Sequence, residues 1–285
     1  MRDIYTHKSP QKLHSCVVFN SPHSGSNYPV EFLASSKLDS LAIRSSEDAF
    51  VDELFGDAAK YGAHLLSAHA PRAFLDLNRS ASELDPAIVQ GVKRAPSNLR
   101  IASGLGVIPR VVGNGQVIRT GKLSLIEAQN RIATYHTPYH NCLQNLIDLQ
   151  RSVHGIAILI DCHSMPQKSL DAAPLVRGKK PDIILGDRFG ASCDRWIMDS
   201  ATRIFSAAGF VVARNAPFSG GYITRHYGRP TKGIHAFQIE INRALYMDET
   251  RIERAESFDE IRGTLSGVTR QLAQIGQVST ALAAE

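Results

Sequence analysis

The sequence contains few cysteines and no cluster of them. Four are present, far apart, and no C-x-x-C pair indicates a structural zinc site or a redox motif. We therefore expect a reduced, cytoplasmic protein. At 285 residues the chain should bury about 75% of its unfolded surface. Because such a core folds without help, any metal is expected to have a chemical role.

The sequence also lacks a long hydrophobic run and a dominant charge. No window approaches the roughly 18 apolar residues of a membrane helix, and the N-terminus has no apolar stretch of signal-peptide length. The chain has 32 Lys and Arg against 27 Asp and Glu, a net charge of +5. Membrane insertion, secretion and dedicated nucleic-acid binding are therefore disfavoured, whereas a small anionic substrate fits. The oligomeric state is left open.

Strand and helix patterns alternate along the chain. Apolar, β-branched runs predict buried strands at 16–19, 63–67, 74–77, 155–161, 182–185, 210–213 and 236–241. Helical spacing predicts helices over 46–61, 123–154, 191–208 and 251–275. The alternation predicts a single α/β domain, residues 1–285, with a mixed, mostly parallel central sheet flanked by helices on both faces. An Asn-Gly pair in VVGNGQVI predicts a hairpin between Val111 and Ile118.

Two of the predicted strands end in a histidine. In IAILIDCHSMP a very apolar run ends abruptly in Asp161, Cys162, His163 and Ser164, and CVVFNSPHSG places His23 two residues before Gly25. In an α/β sheet the sites gather beyond the C-terminal strand ends, so the two imidazoles could share one metal. The alternative is that each caps a strand or satisfies buried backbone. Their matching contexts favour ligation.

A catalytic zinc site often adds a carboxylate to two histidines and leaves a position open for water. The segment SSEDAFVDEL offers Glu47, Asp48 and Asp52 at the start of a predicted helix. Glu47 and Asp48 fall on or near its inward face, and Asp52 lies farther round. However, Ser45 followed three residues later by Asp48 resembles a capping box. Spacing alone leaves ligand and cap open.

A glutamate lies among apolar neighbours in HAFQIEINR, on a predicted buried strand. An ionised Glu240 there needs a partner, because burying a lone carboxylate costs several kcal/mol. One partner is a water activated by a metal, toward which Glu240 would act as general base. The alternative is an ion pair with one of the many arginines.

Arginines that could bind an anionic substrate follow two other segments. FLDLNR ends in Asn78 and Arg79, and SGGYITRHYG supplies Arg225 after two glycines. A guanidinium can hold a carboxylate through two parallel hydrogen bonds, so two arginines suit a dicarboxylate. For each arginine the alternative is a structural salt bridge.

Two further features indicate packing. His136 and His140 are four residues apart, but Pro138 lies between them and YHTPYH lacks the glutamate of an H-E-x-x-H site. We interpret this stretch as a kinked packing helix. Cys162 precedes His163, and adjacent strand residues point to opposite faces, so a buried thiol is expected.

Several motifs together resemble one known family. In order along the chain they are PHSG, ED-x-x-VDELF, FLDLNRS, TPYH, DCHSMP, PDIILGDRFGASCD, GGYITRHYGRP and HAFQIEINR-x-LYMDE. This set, from Pro22 to Glu249, resembles the N-formylglutamate amidohydrolase (N-formylglutamate deformylase) family. Its members hydrolyse N-formyl-L-glutamate to formate and glutamate, the closing step of one histidine-degradation route. They are similar in architecture to zinc carboxypeptidases and aspartoacylases.

The resemblance implies a role for each candidate residue. It implies a divalent metal such as Zn²⁺, with Asp48 favoured over Glu47 as the carboxylate ligand and Glu240 as general base and acid. The implied metal ligands are His23, Asp48 and His163, and the implied substrate-binding residues are Asn78, Arg79 and Arg225. A related N-acyl-amino-acid amidohydrolase and a non-catalytic carboxylate-binding protein remain alternatives.

Overall fold

The computed structural model describes residues 3–93 and 98–277. Its strands are β1 Tyr5–Lys8, β2 Val17–Ser21, β3 His64–Ala68, β4 Ala157–Met165, β5 Ile183–Gly186, β6 Val212–Arg214, β7 Ile234–Asn242, β8 Met247–Asp248 and β9 Glu253–Arg254. The α-helices are α1 Val30–Ala34, α2 Val51–Leu54, α3 Leu99–Ala102, α4 Leu125–Arg131, α5 Thr137–His154, α6 Arg195–Ala207, α7 Tyr222–Tyr227 and α8 Phe258–Leu272.

Seven strands form the central sheet, in the order β1-β3-β2-β4-β7-β5-β6. The pairs β2/β4, β4/β7 and β5/β6 are parallel, and β5 runs antiparallel to β7. Every residue of β4 is buried, as expected for a parallel strand covered on both faces. The predicted α/β class, with a mixed, mostly parallel sheet flanked by helices, is confirmed.

Two predicted elements are wrong. Residues 74–77 form a turn, in which the amides of Phe74 and Leu75 donate to the Pro71 carbonyl at 2.9 and 3.2 Å. Their apolar side chains are buried without a strand, because a short apolar run indicates burial and not its backbone form. The helix expected over 46–61 is broken at Phe50, whose φ of 65° is left-handed, so that α2 covers only Val51–Leu54.

The helix expected over 123–154 is built from three segments. A π-helical segment, Ile132–His136, joins α4 to α5, and Pro138, which has no amide hydrogen to donate, lies two residues after that segment ends. The hairpin near Asn114 is also present as a bridge between Val111 and Val117, with Gly115 at φ 83°.

The described residues form two compact units. The first draws on the ranges 3–6, 22–49, 67–93 and 98–142, and the second on 7–21, 50–66 and 143–277. The first unit contains the edge-to-face contacts of Phe74 with Phe32 and Tyr135, at 5.3 and 5.4 Å between centroids. The second contains β2 and β4 to β7. The count of one domain stays a prediction.

Within the described ranges, no helix is long and apolar enough to cross a membrane.

Candidate metal centre

His23 lies just beyond β2, in the first unit, with both ring nitrogens near carboxylates. Its Nε2 is 2.7 Å from Asp76 Oδ1, and its Nδ1 is 3.4 Å from Asp48 Oδ2. The His23 carbonyl accepts a hydrogen bond from the Asp48 amide at 3.0 Å, which holds the two residues side by side. With Nε2 donating its proton to Asp76, Nδ1 is the nitrogen that can ligate a metal.

Asp76 connects several groups of the first unit. Its Oδ1 accepts from His23 and from the Asn78 amide at 2.8 Å, and its Oδ2 accepts from Arg72 Nε at 3.0 Å. Burial opposes ionisation of this carboxyl, but the neighbouring charges of Arg72, Arg79 and His23 outweigh it and hold the pKa of Asp76 well below its usual range. Asp76 is therefore an ionised acceptor that orients His23.

The three candidate carboxylates have different surroundings. Glu47 accepts from Arg44 Nε at 3.0 Å and from the Tyr28 hydroxyl at 2.6 Å, so its oxygens are engaged in an ion pair. Asp52 lies on α2, where burial and then Glu53 raise its pKa. Asp48 lies beside His23. The helix-cap alternative is wrong for Asp48, because the N-cap of α2 is Phe50 and no side chain caps that helix.

The second unit presents His163 in a matching arrangement. His163 lies near the end of β4, with Nε2 2.9 Å from Asp161 Oδ2. Asp161 Oδ1 in turn accepts from Asn20 Nδ2 at 2.7 Å. Residues two apart on a strand share a face, so β4 itself aligns this carboxylate and imidazole. Cys162 between them is buried, which raises the pKa of its thiol well above the ordinary value. The prediction of a buried thiol is confirmed.

Glu240 lies next to His163 on the sheet. The parallel register of β4 and β7 pairs His163 with Glu240, and Asp161 with Gln238. Paired residues of neighbouring strands project from the same face, since the pleats run in phase. Gln238 Nε2 donates to Glu240 Oε1 at 3.2 Å, which orients the carboxylate. Glu240 is half-buried, whereas the rest of β7 is buried.

His23, Asp48 and His163 form a cluster that could hold a metal ion. One ligand atom of each lies within 4.8 Å of the others, and all three residues are buried. Two imidazoles and a carboxylate are a common protein ligand set of catalytic zinc. Each imidazole also has a carboxylate on its Nε2, the outer contact that metal-ligating histidines usually make. The residues present therefore fit a divalent metal, and the assignment of His23 and His163 as ligands stays a prediction.

The candidate substrate-binding residues lie in both units. Asn78 and Arg79 follow Asp76 directly, in the first unit. Arg79 is buried: its Nε donates to the Leu105 carbonyl at 2.8 Å and its Nη1 to the Asn78 carbonyl at 2.7 Å. Burial lowers the pKa of Arg79, although Asp76 opposes this. Arg225 belongs to the second unit and is exposed on α7.

Asp76 and Asp161, the partners of the two histidines, were not among the residues predicted from the sequence. The signal for Asp161 was present, because D-C-H on a strand places the acid and the histidine on one face. The partnership of Asp76 with His23 joins residues 53 positions apart. No local pattern contains it.

Comparison with known proteins assigns the family. The model of the N-formylglutamate amidohydrolase family matches residues 15–247. The chain belongs to this family. It is 30% identical to an N-formylglutamate deformylase of Pseudomonas aeruginosa over 236 residues, 82% of either chain. It is 32% identical to an N-formylglutamate deformylase of Pseudomonas putida over 206 residues, 71% of either chain.

A solved structure of the same family shares the fold. The crystal structure of N-formylglutamate amidohydrolase from Ralstonia eutropha JMP134 aligns with a TM-score of 0.90 at 31% identity. The alignment covers 97% of this chain and 99% of the other.

Proposed function

We propose that this protein is a metal-dependent amidohydrolase that cleaves N-formyl-L-glutamate to formate and L-glutamate. The observation that carries the proposal is the buried cluster of His23, Asp48 and His163. Family membership supports the substrate, since the relatives from both Pseudomonas species are named N-formylglutamate deformylase.

His23, Asp48 and His163 would hold the metal. Zn²⁺ matches their donor chemistry, two imidazoles and a carboxylate. When bound, it would supply Lewis-acid polarisation of the formyl carbonyl. Asp76 and Asp161 accept hydrogen bonds from the two Nε2 atoms, which would leave each Nδ1 available as the ligand atom.

Glu240 would be the general base and then the general acid. Its position next to His163 on the sheet supports this role, as does the hydrogen bond from Gln238 to Oε1. The Glu240 carboxylate takes a proton from the attacking water. It then delivers this proton to the amide nitrogen, so that the C–N bond breaks and glutamate leaves as the free amine.

Arg79, Asn78 and Arg225 would bind the carboxylates of the substrate. Arg79 is well suited to this because two backbone carbonyls fix its guanidinium, which leaves little conformational freedom to lose on binding. Arg225 would serve the second carboxylate from α7.

The setting of the reaction follows from the same family resemblance. We place it at the close of a histidine-degradation route, in the cytoplasm. The four cysteines, all within the described ranges, are free thiols and agree with a reducing compartment.

The direct test compares acyl groups on purified, zinc-loaded protein. We expect formate from N-formyl-L-glutamate, and much slower release of acetate or succinate from the corresponding amides of L-glutamate. Faster release of a longer acid would instead indicate a related N-acyl-amino-acid amidohydrolase. Tight binding of N-formyl-L-glutamate without turnover would indicate a carboxylate-binding protein.

A further inference from the structure

Two adjacent histidines of the first unit contact the segment that carries Asn78 and Arg79. His136 Nε2 lies 2.9 Å from the carbonyl oxygen of Arg79, and His140 Nε2 lies 2.9 Å from that of Leu77. A carbonyl oxygen only accepts hydrogen bonds, so both Nε2 atoms carry a proton and donate it. The two ring centroids are 4.1 Å apart.

The helix geometry sets this pair side by side. His136 ends the π-helical segment, and His140 lies in the first turn of α5, four residues later. Residues four apart lie on one helix face. The two imidazole N–H donors therefore reach the carbonyls of Leu77 and Arg79, which are two residues apart. π-helical segments are rare and recur at functional sites.

The same short segment is also held through its backbone amide. Asp76 Oδ1 accepts the Asn78 amide proton at 2.8 Å, and Arg79 Nη1 donates to the Asn78 carbonyl at 2.7 Å. The carbonyls of residues 77, 78 and 79 and the amide of Asn78 are therefore all hydrogen-bonded. Because the backbone torsions are fixed, the directions in which the Asn78 and Arg79 side chains leave it are fixed as well.

We propose that His136 and His140 are positioning residues for substrate capture. They hold residues 77–79 in the one backbone conformation that presents Asn78 and Arg79 to a carboxylate of the substrate. This inference rests on the proposed function. It replaces our interpretation of the YHTPYH stretch as packing alone.

The test uses a donor deletion and a donor replacement at each position. His136→Phe and His140→Phe keep a planar ring and remove the N–H. His136→Gln and His140→Gln restore an amide N–H near the position of Nε2. His154→Phe is the matched control, since His154 lies at the other end of α5. Each variant is loaded with zinc and its metal content is measured.

We expect each Phe variant to raise KM for N-formyl-L-glutamate about tenfold, the loss of roughly one hydrogen bond, with kcat within about threefold of wild type. Metal content should stay unchanged and each Gln variant should recover most of the KM. Amide exchange at Asn78 and Arg79, followed by NMR, should accelerate in the Phe variants and not in His154→Phe.

Two results would overturn the inference. One is an unchanged KM together with unchanged amide exchange. The other is a Gln variant as impaired as its Phe counterpart, which would indicate a packing role only. If the wild-type protein released no formate, the proposed function would fail, whereas amide exchange would still report whether the two histidines hold the segment.

Discussion

Glu240 illustrates how one side chain acquires a role from its neighbours. The register of β4 and β7 places it next to His163, and Gln238 orients its Oε1. Replacing Glu240 by Gln keeps the shape and removes the proton acceptor. We expect Glu240→Gln to lower kcat by about 10²- to 10⁴-fold.

The measurement is steady-state formate release together with metal content. Glu260→Gln is the control, because Glu260 is exposed on α8. Retained zinc with near-normal turnover in Glu240→Gln would show that another group is the base.

Arg79 is a second residue whose geometry gives a distinct prediction. Lysine cannot donate to the Leu105 and Asn78 carbonyls and also offer a planar fork to a carboxylate. We therefore expect Arg79→Lys to raise KM about tenfold or more with a smaller change in kcat. Steady-state kinetics test this, with Arg270→Lys on the exposed side of α8 as control. An unchanged KM would remove Arg79 from substrate binding.

At the scale of elements, the turn after β2 depends on a glycine. A Cβ on Gly25 would lie 2.2 Å from the Ala70 carbonyl oxygen, so only glycine permits this approach of two backbone segments. The amide of Asn27 donates to the His69 carbonyl at 3.0 Å within the same contact. This contact supports the turn that carries His23.

We expect Gly25→Ala to destabilise the protein by about 1–3 kcal/mol and to weaken zinc binding. Gly263→Ala is the control, because its added Cβ meets open space on α8 and should stabilise that helix by about 0.5–1 kcal/mol. Chemical denaturation and zinc titration measure both effects. Equal unfolding free energies and equal zinc affinities in the two variants would contradict the steric explanation.

The pairing of β1 with β3 predicts a pH dependence of stability. His7 Nε2 lies 3.0 Å from Nδ1 of buried His64. Burial, and secondly the charge of His7, lower the pKa of His64 to about 4. The unfolded chain, with a His pKa near 6.5, then binds more protons between pH 6.5 and 4, so folding stability falls as the pH drops through that window.

We expect the folding stability lost over this pH range to reach about 2 kcal/mol. This is less than the full pKa shift of His64 implies, because its partner His7 is exposed and solvent screens the interaction. Urea unfolding at several pH values measures the slope, and His64→Gln should flatten it. A slope of opposite sign would show that protonated His64 is stabilised in the fold.

The elements also show what a sequence pattern can predict. β4 was predictable because five consecutive apolar residues precede its polar end, and that end located His163. Residues 74–77 have three apolar side chains but form a turn, in which Phe74 and Leu75 bond to the Pro71 carbonyl and the Asp76 amide donates to the distant Val107 carbonyl. Residue types and family motifs indicated the candidate metal ligands. Local periodicity does not encode long-range contacts. Two such contacts are the hydrogen bond of His23 with Asp76 and those of His136 and His140 with the backbone of residues 77–79.

For the whole molecule, we propose that His23, Asp48 and His163 together bind one catalytic metal ion. A large folded core needs no metal for stability. We therefore expect chelated protein to stay folded by circular dichroism while losing formate release. Unfolding on chelation would instead assign the ion a structural role.

The most direct measurement is a titration of the metal-free protein with Zn²⁺ while formate release from N-formyl-L-glutamate is recorded. Activity should rise from near zero to a plateau at one equivalent per chain, and Asp48→Ala should bind zinc weakly and stay inactive. Full activity in the chelated protein, or an unaffected Asp48→Ala variant, would contradict the claim.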